Sequence, residues 1–258
     1  MSTITNKFNL EGKVAIVTGS SKGIGAAIAR GLAEQGANVV LSSRKQDAVD
    51  ELAASFKEDG LSATAIVCHV GDKEQRDALI QKTIEQLGGI DILVNNAAIN
   101  PFFGPLEVTE ESIFDKIMEV NVKAPWTLSN LALPSMQARN GGSIINIASV
   151  EGLHPGFGLG IYGVSKSALI MLTKNQAKEW GKYGVRSNVI CPGLIKTKFS
   201  QAIWQNEKTL SHLEKNLPSG RMGVPEEIAG LAVLLASEAG SYSTGATFTA
   251  DGGYLIAG

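Results

Sequence analysis

Short runs of β-branched and aliphatic residues alternate along the chain with longer stretches whose apolar positions recur at helical spacing. VAIVT (14–18) precedes a helical pattern over 24–35, NVVLS (38–42) one over 45–59, and ATAIVC (63–68) one over 72–87. The alternation resumes with DILVN (91–95), a helix from about 110, SIINIA (143–148), a helix from Tyr162, RSNVIC (186–191), a helix from Pro225 and ATFTA (246–250). Strands that are apolar on both faces and joined by helical crossovers predict a parallel sheet with helices packed on either side. The expected fold is α/β, a doubly wound Rossmann-type sheet of about seven strands.

No Pro/Ser-rich linker or internal repeat divides the pattern, so residues 1–258 are expected to form one domain. Its cofactor half would cover about 13–150 and its catalytic and substrate half about 142–258. Two helical stretches, 113–133 and 162–181, carry more apolar residues than one sheet-facing stripe needs. Loops of the same chain or a second subunit must cover the excess, and a subunit interface is the favoured expectation.

Composition narrows the partners. With 44% apolar residues, 19% charged residues and a net charge of −2, the chain has neither the signature of disorder nor the basic footprint of a nucleic-acid binder. It has no apolar run of spanning length and no signal-peptide core, so a soluble, cytoplasmic protein with no membrane partner is expected. Cys68 and Cys191 each end an apolar run and read as buried reduced thiols. His69, His154 and His212 show no ligand spacing, so no metal is expected.

Directly after the first strand, TGSSKGIG (18–25) spaces glycines at Gly19, Gly23 and Gly25 around Ser21, Lys22 and Ile24. A helix starting there offers unpaired N–H groups and its positive dipole end, and the missing Cβ atoms let a pyrophosphate approach. An ordinary strand-to-helix turn is the alternative, but its place after the first strand of a βαβ unit favours a dinucleotide cradle. Strand two ends in Ser42, Ser43 and Arg44, with no acid to repel a 2′-phosphate. NADP(H) is therefore expected, gripped by Ser43, Arg44 and Lys22. The competing reading of Arg44 and Lys22 is that of plain solvated cations.

YGVSK (162–166) puts Tyr162 and Lys166 one helical turn apart on one face, where both can act on one bound molecule. A tyrosine with a pKa of about 10 must be lowered by ~3 units, about 4 kcal/mol, to serve as a base near neutrality. A neighbouring ammonium in a dry site would do this, which is the expected role of Lys166.

Taken together, TGSSKGIG, NNAA (95–98), Asn121, Ser149, YGVSK and PGLIKT (192–197) resemble the short-chain dehydrogenase/reductase family over essentially the whole chain. CHVG (68–71), NPFFG (100–104) and PGLIKT look most similar to its NADPH-dependent carbonyl and retinal reductases. The resemblance implies that Tyr162 exchanges the proton, Lys166 assists it, Ser149 polarises the substrate oxygen and Asn121 holds a relay water. It further implies that Asn95 and Ala97 line the cofactor, and that Pro192, Gly193, Ile195 and Thr197 sit beside the nicotinamide. A homotetramer is implied as well. Two positions depart from the family pattern: Ala98 replaces the last glycine of NNAG, and His69 replaces an aspartate that contacts adenine. The adenine contact would then fall to His69 and the backbone around Val70.

The expected reaction is hydride transfer between NADP(H) and a carbonyl or alcohol, chiefly reduction of a hydrophobic ketone or aldehyde. Phe102, Glu151, His154, Phe157 and Trp204 are the expected substrate contacts. Reduction of a 3-oxoacyl thioester, with Lys196 and Lys198 near the mouth, is the alternative, followed by NAD-dependent oxidation of a secondary alcohol. A silent dinucleotide sensor of the same fold would have lost Tyr162 or Lys166.

Overall fold

Seven parallel strands form one sheet in the order β3-β2-β1-β4-β5-β6-β7 in the computed structural model, which describes residues 3–257. They are β1 (Val14–Thr18), β2 (Asn38–Ser42), β3 (Ala63–Ala65), β4 (Ile92–Asn95), β5 (Gly142–Ile147), β6 (Val185–Pro192) and β7 (Thr247–Ala250). The helices are α1 (Gly23–Glu34), α2 (Gln46–Glu58), α3 (Lys73–Leu87), α4 (Glu111–Met118), α5 (Ala124–Ala138), α6 (Gly160–Trp180), α7 (Gln201–Trp204), α8 (Glu207–Asn216) and α9 (Pro225–Ala236).

Side chains of a strand alternate between faces, so one strand feeds two cores. Ala15 and Val17 of β1 join a cluster with Ile28 and Leu32 of α1 and Ile228 and Ala232 of α9. Ile16, between them, packs with Leu79 of α3 and Leu128 and Met136 of α5. Because β1 is paired with both β2 and β4, the strand order reverses at β1/β4. That switch point opens a crevice at the strands' carboxyl ends, where sheets of this kind bind ligands.

Three stretches differ from the sequence reading. β3 stops at Ala65, three residues early, although Ile66 N–H still donates to Leu41 O at 3.0 Å and Cys68 N–H to Ser43 O at 2.9 Å. The helix expected from about 110 is interrupted by a π-turn over Glu119–Lys123, and α7 and α8 have no counterpart in the hydropathy pattern. Both are local: a π-turn inserts one residue without altering composition, and α7 is a single turn.

The apolar excess on α4, α5 and α6 stays uncovered within the chain. Trp126 is 49% and Met171 56% exposed, and a groove of about 510 Å³ lies between Met118, Val122, Trp126 and Leu172. Among the described residues no helix is long and apolar enough to cross a membrane, and no group of His, Cys, Asp and Glu is placed to hold a metal. The side chain of His212 lies outside the described residues. Cys68 and Cys191 are buried and free.

Candidate active site

The turn after β1 is shaped by what it cannot accommodate. Gly19 and Gly23 adopt φ of 65° and 59°, the left-handed region that disfavours a Cβ. A Cβ on Gly19 would stand 2.9 Å from Ala97 Cα, and one on Gly25 would overlap the Asn96 side chain. Asn96 ties the turn to the end of β4: its Nδ2 donates to Thr18 O at 2.8 Å and Gly19 O at 3.2 Å. Thr18 Oγ1 in return accepts the N–H groups of Asn96 and Ala97 at 3.0 and 3.1 Å. Lys22, the N-cap of α1, is exposed and makes no side-chain capping bond, so the first N–H groups of α1, around Gly23 and Ile24 next to Ser21, remain available to an anion. A glycine turn packed too closely against Asn96 and Ala97 to carry side chains, beside an uncapped helix start, fits a dinucleotide pyrophosphate.

Ser43 and Arg44 leave β2 next to this turn. Arg44 is exposed and has no ion-pair partner among the described residues. His69 folds back on its own loop, its Nδ1 accepting from Gly71 N–H at 3.1 Å, while Val70 packs into the core. Across the crevice, Pro192 ends β6 and Gly193 N–H donates to Ala250 O at 3.0 Å; a Cβ there would meet Asp251 Cα at 2.7 Å. Ile195 is buried, and the Thr197 methyl lies 3.3 Å from where a Gly23 Cβ would be. Thr197 thus closes the crevice over the glycine turn.

Asn95 does not line this crevice with its side chain, contrary to expectation. Strand alternation turns it inward, where Nδ2 donates to Asn146 Oδ1 at 2.8 Å and Ser129 Oγ at 3.2 Å. The neighbouring Asn96, which the sequence reading passed over, does the work at the cofactor edge. The second asparagine of NNAA was the only available signal for it.

Ser149 follows β5 and caps a short turn, its Oγ accepting from Glu151 N–H at 3.1 Å. α6 begins at Gly160, so Tyr162 and Lys166 fall in its first two turns, both buried. The Ser149 side chain faces the Tyr162 phenol and favours its charged form. Lys166 Nζ donates to Ile147 O at 2.9 Å and lies 5.5 Å from the centre of the Tyr162 ring. Asn121 sits in the π-turn: its Oδ1 accepts from Ile99 N–H at 2.9 Å, and its Nδ2 donates to Ile99 O at 3.0 Å and Ser165 Oγ at 3.1 Å. Ser165 Oγ donates onward to Tyr162 O at 2.7 Å. That clamp joins the loop after β4 to α6; Ser165, inside YGVSK, is a second residue the sequence reading missed. With both Nδ2 protons engaged, the Asn121 side chain still offers a water the second lone pair of Oδ1.

The electrostatics of the cofactor-free chain describe the site before the dry, liganded state in which Lys166 is expected to lower the phenol. Burial pushes the Tyr162 phenol well above its ordinary value of about 10, with the Glu151 charge adding to the rise and the Ser149 side chain opposing it. Burial also pulls Lys166 down to about 8. In the cofactor-free chain burial dominates the phenol, and Lys166 Nζ points to the Ile147 carbonyl. A buried neutral tyrosine is a proton donor in waiting.

Of the expected substrate contacts, Trp204 is anchored by Nε1–H donating to Thr197 O at 2.8 Å, and Phe102 packs over Gly104. Glu151 is half-buried beside Gly156, with Oε2 lacking a hydrogen-bond partner among the described residues and its carboxyl pushed up by burial. His154 is exposed, and Phe157, 87% exposed, projects outward and does not line a closed wall. Phe103 and Phe199 are also largely exposed, Phe199 with its ring centre 6.2 Å from that of Tyr162, so the mouth is open and aromatic-rimmed.

Known proteins resemble this chain along its length. A family model described as enoyl-(acyl carrier protein) reductase matches residues 19–255. The chain is 48% identical to dehydrogenase/reductase SDR family member 4 of Oryctolagus cuniculus over 98% of its own length and 97% of that protein. To the Homo sapiens protein of the same name it is 45% identical, covering 98% and 91%. A gluconate 5-dehydrogenase from Burkholderia cenocepacia J2315, solved in complex with NADP and tartrate, superposes with a TM-score of 0.95 at 35% identity, covering 99% of this chain and 100% of that one. A 7α-hydroxysteroid dehydrogenase complexed with NADH and 7-oxo glycochenodeoxycholic acid superposes at 0.93 with 33% identity, covering 98% of each. With a serine, tyrosine and lysine gathered beside a glycine-lined helix start, and relatives of this likeness along its whole length, the chain belongs to the short-chain dehydrogenase/reductase family of oxidoreductases, which transfer a hydride between a nicotinamide dinucleotide and a carbonyl or alcohol carbon.

Proposed function

We propose that this enzyme is an NADPH-dependent carbonyl reductase acting on a hydrophobic ketone or aldehyde. The observation that carries the reaction is the convergence of Ser149, Tyr162 and Lys166 in one buried site. The preference for NADPH is supported by Ser43 at the end of β2, where an acid would repel the 2′-phosphate, and by the exposed guanidinium of Arg44, which has no ion-pair partner among the described residues. The relatives divide on this point, one structure holding NADP and another NADH. The name of the dehydrogenase/reductase SDR relatives covers both directions of the reaction, and the aromatic rim of Phe103, Phe157 and Phe199 suits an apolar substrate.

The glycine turn, Ser43, Arg44, Lys22 and the stretch Pro192–Thr197 would hold NADPH, which would supply the hydride. The chain's own residues handle the oxygen and the proton. Ser149 and Tyr162 donate hydrogen bonds to the carbonyl oxygen as negative charge grows on it. Tyr162 Oη, kept protonated by burial, delivers the proton. Lys166, still largely protonated below pH 8, stabilises the phenolate left behind until solvent reprotonates it.

We further propose that the exposed face of α4, α5 and α6 pairs with a second copy, as part of a homotetramer, and that the enzyme works in the cytoplasm. The uncovered Trp126 and Met171 support the first, and the buried free thiols of Cys68 and Cys191 the second. A panel of ketones, aldehydes and 3-oxoacyl thioesters assayed by NADPH absorbance, with NADH alongside, tests the function. Turnover of thioesters alone would replace the carbonyl reading with the acyl-thioester one.

A further inference from the structure

Arg76 is a charged residue in an unusual position. It lies in the first turn of α3, is 3% exposed, and reaches two separate elements with one nitrogen: Nη1 donates to Val70 O at 2.6 Å and to Glu119 Oε1 at 3.2 Å. Its Nε is buried without a partner among the described residues. A guanidinium costs several kcal/mol to bury, so it is held there by what it joins.

Those two elements lead to different parts of the site. Val70 is in the loop after β3, the expected adenine contact. Glu119 opens the π-turn whose third residue, Asn121, clamps Ile99 and Ser165 beside Tyr162. Gly71 lies near Val120, whose Cγ2 would stand 3.6 Å from a Cβ built on the glycine. Glu119 is also drawn outward by Lys123 at 2.8 Å, so Arg76 supplies the inward pull that sets the turn. π-turns of this kind concentrate at functional sites because the extra residue re-aims its neighbours.

We infer that Arg76 is a positioning residue that couples the dinucleotide-binding loop at His69–Gly71 to the π-turn carrying Asn121, so that cofactor binding and proton delivery depend on one guanidinium bridge. The inference rests on the reading of that loop as a cofactor contact. Both bonds leave the single nitrogen Nη1, which the rigid guanidinium plane holds between the carbonyl and the carboxylate, whereas a lysine ammonium sits on a flexible stem.

Two variants test it: Arg76→Lys, which keeps the charge, and Glu119→Gln, at a half-exposed position that leaves the core intact. Each is assayed as purified, folded enzyme for NADPH affinity by cofactor fluorescence without substrate, for kcat at saturating NADPH, and for the solvent isotope effect on kcat. The expected result is a fall of fivefold or more in kcat and a larger solvent isotope effect in both variants. Arg76→Lys also weakens NADPH binding at least fivefold. A lowered Tm with kcat and isotope effect unchanged overturns the inference, as does a loss of NADPH affinity alone. If wild-type enzyme reduces no carbonyl but binds NADPH, the functional proposal fails first, and the affinity arm still decides whether Arg76 supports the loop.

Discussion

Lys166 Nζ lies 5.5 Å from the centre of the Tyr162 ring and donates to Ile147 O. The ammonium is thus anchored to the end of β5, beside the phenol and close enough to stabilise its charge as the proton leaves. Both side chains are buried, so each is pushed toward its neutral form. The proton is loaded on tyrosine before substrate arrives, and the lysine charge matters most after it has gone.

Replacing Tyr162 by Phe removes the donor and keeps the ring in place. We expect kcat to fall below a tenth of wild type, a loss of more than ~1.4 kcal/mol in transition-state stabilisation. NADPH affinity should stay within about twofold, since the ring still packs; an isothermal titration beside the rate assay checks both, and retained turnover would remove Tyr162 from the chemistry.

Lys166 gives a prediction in pH. Its folded pKa of about 8 lies below the unfolded value near 10.5, so between those limits the unfolded chain binds more protons. Its contribution to stability is therefore fully present above about 10.5 and lost as pH falls through 8, by an amount on the order of 3 kcal/mol. Tyr162, with its pKa raised, acts in the opposite sense only above pH 10. Lys166→Met should therefore gain on wild type in Tm as pH is lowered from 9.5 to 7, in cofactor-free protein by calorimetry. A difference in Tm that is flat with pH would contradict this.

Cofactor choice is tested by Ser43→Asp with Arg44→Leu. A charge-assisted contact is worth roughly 1.5 to 3 kcal/mol, so kcat/KM for NADPH should fall at least tenfold. NADH should be little harmed or improved. Wild-type enzyme that uses the two dinucleotides equally well would make Arg44 a surface charge.

The assembly prediction uses Met171→Glu, which places a carboxylate on the exposed face of α6 far from Tyr162. Light scattering should show smaller particles than wild type. An unchanged mass, or an active wild-type monomer at micromolar concentration, would show that this face is free.

Much of the fold can be read from the chain because strand and helix periodicities are local properties. VAIVT, NVVLS and DILVN are apolar on both faces only because helices lie on both sides of them, so their pattern carries the sheet type with it. The glycine turn and YGVSK are likewise local, since backbone freedom and one-turn spacing need no distant partner. What tertiary structure decided was set by contacts between segments far apart in sequence. Asn95 turns into the core toward Asn146 while Asn96 grips Thr18 and Gly19, a choice made by the register of β4 between β1 and β5. Arg76 meets Glu119 only because α3 and the π-turn pack on the same face of the sheet. The neutral state of Tyr162 depends on how much water the folded chain excludes, a quantity that belongs to the whole packing and to no single stretch of sequence.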